Sequence, residues 1–189
     1  MVPADYERRA APKSLFYHIF KTHLGWCAVV GSKRGICNVI LPMSSRKKVE
    51  AILRRTWGLE RETRGASARH GFLVLSAAER QVKEYLAGKR RTFELPISLP
   101  GRGAFERAVY AATKRIPYGK TASYAWLAGK VGRPRAARAV GRAMARNPVP
   151  LLVPCHRVVA SDGGLCGFTS EGGLGLKQAL LDLENYTHQ

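Results

Sequence analysis

Hydrophobic positions recur with two different periods along this chain, and the changes of period mark out its elements. From Leu15 to Thr22, Phe16, His18 and Phe20 alternate with Leu15, Tyr17 and Ile19, the two-residue repeat of a strand. Leu24-Gly25 breaks the repeat, and Trp26 to Val30 predicts a second strand. Gly31 to Gly35 reads as a hairpin turn, and Ile36 to Leu41 as a third strand that Pro42 ends. Three strands in close succession predict an antiparallel meander. The period then becomes helical: Val49, Ile52, Leu53 and Trp57 fall on one side of Ser45 to Trp57, with Arg and Lys opposite. Glu60 to His70 is polar and predicts a loop. Ser76-Ala77-Ala78-Glu79 has the pattern of a capping box, opening a helix that carries Val82, Tyr85 and Leu86 and stops at Gly88. Phe93, Leu95, Ile97 and Leu99 alternate as an edge strand, its pairing limited by Pro96 and Pro100.

Pro100 to Gly103 has the composition of a linker, so the pattern predicts two domains, 1–100 and 101–189. Beyond it, Phe105, Ala108, Val109 and Ala112 form the apolar stripe of a helix that ends at Ile116-Pro117-Tyr118-Gly119. Ser123 is placed to cap a short helix carrying Tyr124, Leu127 and Ala128. Gly132 makes a turn, and Pro134 suits the first position of the next helix. This succession predicts a helix-turn-helix. On a helix from Pro134 to Arg146, residues Arg135, Arg138, Arg142 and Arg146 share one stripe, with Val140 and Met144 on the other side. No carboxylate at helical spacing neutralises the row, which points to DNA contact rather than to a solvated face. Leu174, Leu176, Leu180 and Leu183 predict a closing helix.

Charge strengthens that reading. Thirty-two Lys and Arg stand against 13 Asp and Glu in 189 residues, a formal net charge of +19. A chain this basic is expected to meet a polyanion, with nucleic acid the first candidate and an acidic membrane surface the second. No apolar run reaches the length of a membrane span, and Met1 to Lys13 lacks the apolar centre of a signal peptide. The expectation is a cytoplasmic, nucleoid-associated protein, or a nuclear one in a eukaryote. Cys27, Cys37, Cys155 and Cys166 form no CxxC pair, so free thiols in a reducing compartment are expected. His18, His23 and His70 add no ligand spacing to Cys27 and Cys37, and no metal or cofactor is expected.

The chemistry concentrates in Val153-Pro154-Cys155-His156-Arg157-Val158-Val159. Pro154 predicts an extended approach to Cys155. Neighbouring side chains on a strand face opposite ways, so His156 activates Cys155 only if the backbone turns or a water bridges them. A thiol needs such a base, because it is little ionised at neutral pH. The base in turn needs a partner, and Asp162, Glu171, Asp182 and Glu184 are the downstream carboxylates. A binding-only regulator and a cysteine hydrolase are the rival readings of these residues.

Asn147-Pro148, Pro154 to Val159, Gly163 and Gly167 together resemble the active-site signature of the O6-alkylguanine-DNA alkyltransferases, the match running from about Phe105 to Glu184 and more weakly before it. The resemblance implies an α/β (α+β) protein: an N-terminal ribonuclease-H-like α/β domain followed by a C-terminal winged-helix-like helix-turn-helix domain. It implies direct repair of double-stranded DNA carrying O6-alkylguanine, and O4-alkylthymine as well, by irreversible, stoichiometric transfer of the alkyl group to Cys155. The protein is expected to act as a monomer, without a membrane. Glu184 then partners His156 in a Glu–His–water–Cys series, and Asn147 bonds backbone between the recognition helix and the active-site strand. Arg138 replaces the extruded nucleotide, Tyr124 helps rotate it out, and Arg135 and Arg142 lie on the DNA face. Tyr124, Pro150, Val158 and Ser170 belong to the substrate pocket, where the backbone of Cys155 and Val158 accepts from the guanine amine. Such flipping is needed because the reacting atom is stacked within the duplex.

Overall fold

The computed structural model describes residues 15–59 and 69–185. The chain forms two compact units that meet in sequence between Gly101 and Arg102.

The first unit is built on a three-stranded antiparallel sheet in the order β1 (Leu15–Thr22), β2 (Gly25–Ser32), β3 (Gly35–Met43). β1 has the bounds its pattern predicts, while β2 and β3 run longer than theirs. The turn between β2 and β3 shrinks to Lys33 and Arg34, and β3 passes through Pro42 to Met43. Among the described residues β3 has β2 as its ladder partner and a lone bridge at Ile36 on its other edge, so the missing N–H of Pro42 is tolerated. Both faces of the sheet are covered, which is why its strands are apolar almost throughout. Helix α1 (Arg46–Trp57) lays Val49, Leu53 and Trp57 on Tyr17, Ile19, Ala28, Val30, Cys37 and Ile40. Ser45 caps it, accepting from the Lys48 N–H, and Gly58 closes it in the left-handed region. Helix α2 (Arg69–Leu86) packs on all three strands.

Two sequence expectations fail here. Arg69 and His70 are helical rather than in a loop, the rest of that polar stretch, 60–68, lying outside the described residues. Ser76 therefore sits inside α2 and caps nothing; the Ser-x-x-Glu spacing fits a helix interior as readily as a helix start. The segment from Phe93 to Leu99 is extended but among the described residues makes a single parallel bridge, Ile97 to Ile36, closed by Ile36 N–H to Pro96 O and Ser98 N–H to Ile36 O, each 2.8 Å. Pro96 and Pro100 deny it a full ladder. His18 meets Glu79 at 2.9 Å, Cys27 contacts Thr22 and Cys37 contacts Ser32, so these residues belong to local packing.

The second unit holds the chemistry. Helix α3 (Ala104–Lys114) buries Val109, Tyr110, Ala112 and Thr113, while Ala108 is exposed, so the buried stripe is rotated from the one the pattern implies. The Tyr110 hydroxyl explains the rotation: it donates to the Ala143 carbonyl at 3.0 Å. A short strand β4 (Ala122–Ser123) leads into α4 (Tyr124–Lys130), and Ser123 accepts from the Trp126 N–H at 3.0 Å as its cap. After Gly132, helix α5 spans Ala137–Ala145, not Pro134 to Arg146. The Ala136 N–H bonds the Arg133 carbonyl at 2.8 Å, which folds Pro134 and Arg135 into a turn and leaves Ala136 as the helix cap. Only Arg138 and Arg142 of the arginine row are therefore helical. All four arginines nevertheless face solvent, and Val140, Ala143 and Met144 are buried. A 3-10 turn (Cys155–Arg157), strand β5 (Val158–Val159) and helix α6 (Gly173–Leu183) complete the unit, with β4 and β5 paired in parallel. Leu174 of α6 is exposed, and its place in the interior is taken by Lys177.

Candidate active site

Asn147 and Glu184 reach the 3-10 turn and the loop before it from outside. The chain enters it not extended but coiled. Leu151, buried and non-glycine, stands at φ 71°, a conformation that costs on the order of 1–3 kcal/mol and must be imposed by its surroundings. Asn147 supplies part of that constraint. Its amide nitrogen donates to the Val153 carbonyl at 2.8 Å and its amide oxygen accepts from the Val149 N–H at 3.1 Å, so one side chain clasps both ends of the loop that includes Pro150. Pro154, at φ −77° and ψ 70°, is the middle of a γ-turn closed by the Cys155 N–H on the Val153 carbonyl. The turn continues into Cys155–Arg157.

Cys155 and His156 are buried, His156 completely. The imidazole Nε2 lies 2.8 Å from Glu184 Oε1. Of the four carboxylates open from sequence, Glu184 is thus the one on the ring. Its carboxylate, itself at 0% side-chain exposure, is also gripped by Arg157, whose Nε and Nη2 donate at 2.9 Å to Oε2 and Oε1. Arg157 Nη1 donates to the Ile116 carbonyl at 2.7 Å, and the Gly119 N–H donates to Glu184 Oε2 at 2.8 Å. Gly119 has φ +72°, and a Cβ there would lie 2.9 Å from the Glu184 carbonyl oxygen, so only glycine fits this approach.

Burial lowers the His156 pKa, against the pull of Glu184, and the nearby Arg157 and Lys177 charges lower it further. The ring is therefore neutral near pH 7 and free to take a proton. With Nε2 committed to Glu184, Nδ1 is the proton-accepting atom. Burial pushes the Cys155 thiol up, while the Asn147 amide, the Lys177 charge and the N–H groups of Cys155 and His156 pull it down. The resting sulfur is a thiol with donors placed to favour its anion, and the neutral imidazole belongs to the next residue.

Tyr124 meets the stretch after β5. Tyr124 donates to the Cys166 carbonyl at 3.3 Å, and burial, first of all, raises its pKa. Gly141 on α5 and Gly167 leave room around its ring and hydroxyl, where a Cβ at either would stand at 3.9 and 3.6 Å. Val158 is buried in β5, Pro150 is buried in the clasped loop, and Ser170 keeps a buried Oγ without a hydrogen-bond partner among the described residues. Arg138, Arg142 and Arg135 are exposed on and before α5, outside the buried cluster.

Two family models match the chain: the 6-O-methylguanine DNA methyltransferase ribonuclease-like domain over residues 15–99, and the DNA binding domain of the same proteins over 104–186. The chain belongs to the 6-O-methylguanine DNA methyltransferase family. It is 36% identical over 170 residues to a methylated-DNA–protein-cysteine methyltransferase of Methanosarcina acetivorans, covering 90% of this chain and 98% of that one. A constitutive methylated-DNA–protein-cysteine methyltransferase of Bacillus subtilis is 44% identical over 115 residues, 61% of this chain and 68% of its own. Among solved structures, Mycobacterium tuberculosis O6-methylguanine methyltransferase superposes with a TM-score of 0.70 at 34% identity, covering 90% of this chain and 93% of that one. The same organism's OGT in complex with DNA gives 0.69 at 34% identity, covering 89% and 92%.

Sequence reasoning missed the Arg157 clamp, the Gly119 donor, Tyr110 and Lys177. Lys177 left a signal: it stands three and four residues before Leu180 and Leu181, on the buried face of α6.

Proposed function

We propose that this methylated-DNA–protein-cysteine methyltransferase repairs duplex DNA by moving the alkyl group of O6-alkylguanine onto Cys155 Sγ. The observation that carries the reading is the buried pair of Glu184 and His156 at 2.8 Å, set one residue from a buried thiol. Nδ1 of His156 takes the thiol proton, directly or through one water, and Glu184 steadies the imidazolium that forms. The sulfur then attacks the alkyl carbon. The S–C bond forms as the C–O6 bond breaks, its electron pair leaves with guanine, and the proton held by His156 returns to the departing base. Atoms and charge balance without a cofactor.

Tyr124, Val158, Pro150 and Ser170 surround the base in this reading, with the Ser170 hydroxyl as a donor in reserve. Arg138 fills the gap left in the stack, and Arg135 and Arg142 meet phosphates. O4-alkylthymine fits the same displacement. The protein acts as a monomer and alongside the DNA it repairs. A thioether is a poor leaving group, so each molecule reacts once.

Intact mass after incubation with an O6-methylguanine duplex tests the proposal. One methyl per molecule should appear, mapped to Cys155, and Cys155→Ala should bind the duplex without accepting methyl. A methyl on Cys166, or guanine released well beyond protein concentration, overturns it.

A further inference from the structure

The end of α6 is held by a turn from far away in the chain. A helix leaves its last carbonyls without partners of its own. In α6 those of Leu180 and Leu181 accept from the Glu184 N–H at 3.2 and 3.0 Å, and that of Asp182 accepts from the Asn185 N–H at 2.9 Å. Asn185, at φ 56°, ends the helix in the left-handed region. The next carbonyl, of Leu183, is met from 65 residues away, where the Tyr118 hydroxyl donates to it at 3.0 Å. Tyr118 and Gly119 are the tip of a β-turn closed by the Lys120 N–H on the Pro117 carbonyl at 3.2 Å, and the positive φ of Gly119 suits its third position. The same stretch meets the Glu184 side chain and its guanidinium. The Gly119 N–H donates to Oε2, the Ile116 carbonyl accepts from Arg157, and the Arg157 guanidinium carbon lies 5.6 Å from the centre of the Tyr118 ring. Tyr118 is half-buried, while Arg157, Glu184 and His156 are buried.

We propose that Tyr118 is a positioning residue for alkyl transfer: by holding the Leu183 carbonyl it fixes the end of α6 and so keeps the Glu184 carboxylate on the His156 ring. The proposal rests on His156 acting as the base for Cys155. Glu184 follows Leu183 directly and is the C-cap of α6, so its backbone goes where that carbonyl goes. Its bond to His156 Nε2, at 2.8 Å, weakens steeply with any loss of distance or alignment. The groups that grip the carboxylate do not secure that placement by themselves. Arg157 belongs to the same turn as His156, so its fork ties Glu184 to the reactive turn without fixing α6. The Gly119 N–H is carried by the very turn that the Tyr118 hydroxyl anchors to α6. Tyr118 therefore acts through the backbone of α6 rather than on the sulfur, and replacing it with phenylalanine removes that anchor while leaving a ring beside Arg157.

The full-length wild type, Tyr118→Phe, Glu184→Gln and the double variant are compared on an O6-methylguanine duplex. Affinity for the duplex and the rate constant of methyl transfer at saturating duplex are measured, and NMR follows the exchange of the His156 Nε2–H proton with water. Tyr118→Phe should slow transfer roughly tenfold or more at unchanged duplex affinity, and its Nε2–H proton should exchange faster than in the wild type. In the Glu184→Gln background Tyr118→Phe should cost no further rate, because no carboxylate is left for it to place. A Tyr118→Phe protein that is less stable to urea but keeps the wild-type rate and proton exchange overturns the proposal and makes Tyr118 a packing residue. Equal slowing in both backgrounds overturns it as well. Should Glu184→Gln fail to fold, the proton decides: wild-type exchange in Tyr118→Phe is fatal by itself. A folded Glu184→Gln that transfers at the wild-type rate refutes instead the reading of His156 as the base, and removes the catalytic part of the role with it.

Discussion

Glu184 carries more of this site than a partner for one histidine. Its two oxygens meet His156 Nε2, the Arg157 fork and the Gly119 N–H, all out of water. Removing its charge leaves the Arg157 guanidinium buried and uncompensated. Glu184→Gln should therefore cost on the order of 3–5 kcal/mol, the range for breaking a buried pair from one side, read by urea denaturation. It should also slow transfer, because the imidazolium loses its stabilising anion. A glutamine variant as stable as the wild type would show that the cluster relaxes into water. At this scale the sequence was partly legible. Cys155, His156 and Asn147 stood in one motif, but the choice among Asp162, Glu171, Asp182 and Glu184 could not be made by spacing. The answer depends on where α6 ends, and Glu184 is its C-terminal cap. Arg157 was in view in the same motif and still silent, since nothing in its neighbours shows that its fork turns toward α6.

Elements explain both what the pattern revealed and what it concealed. Period-two alternation located β1, and the breaks at Leu24-Gly25 and Gly31 to Gly35 located β2 and β3, but none of these could show that both faces of the sheet are covered, because helices α1 and α2 that cover it come later in the chain. The start of α5 was misplaced for a local reason. Proline suits the first turn of a helix, yet here the Arg133–Ala136 turn takes Pro134 first. Each of the four arginines is exposed whether helical or not. Arg138 lies near the N-terminal end of α5, one turn before Arg142. Arg138→Ala should slow repair of duplex substrate far more than reaction with free alkylguanine, because only the duplex requires extrusion. If Arg138 also neutralises a phosphate, the slope of log affinity against log salt should fall by roughly one. Equal losses on both substrates would mean that Arg138 supports the fold of α5.

For the whole molecule, buried titrating groups set a window of stability. His156 has a folded pKa below its ordinary 6.5, so between those values the unfolded chain binds more protons than the folded one. Stability should decline as pH falls below about 6.5, by up to ~1.4 kcal/mol per unit for this one group. Buried thiols act at the other end. Cys27 is raised from 9.0 to about 12 by burial, and Cys37 and Cys155 are raised as well. Above about 9 the unfolded chain releases thiol protons that the folded one retains, so stability falls again as pH rises through the folded values. Urea midpoints from pH 5 to 11 should trace a plateau between, and a flat acid limb would argue against a neutral buried His156. The burial of Cys155 has a last consequence, for the time a molecule waits before it meets a lesion. A reagent that works once has to survive cellular electrophiles and peroxides, which attack exposed thiolates. Cys155 is only 9% exposed and held as a thiol, so diffusing electrophiles find little to react with. In the proposed reaction its reactivity is withheld until the extruded base brings the carbon within reach, and the same burial that slows chance encounters keeps the unused protein in working order.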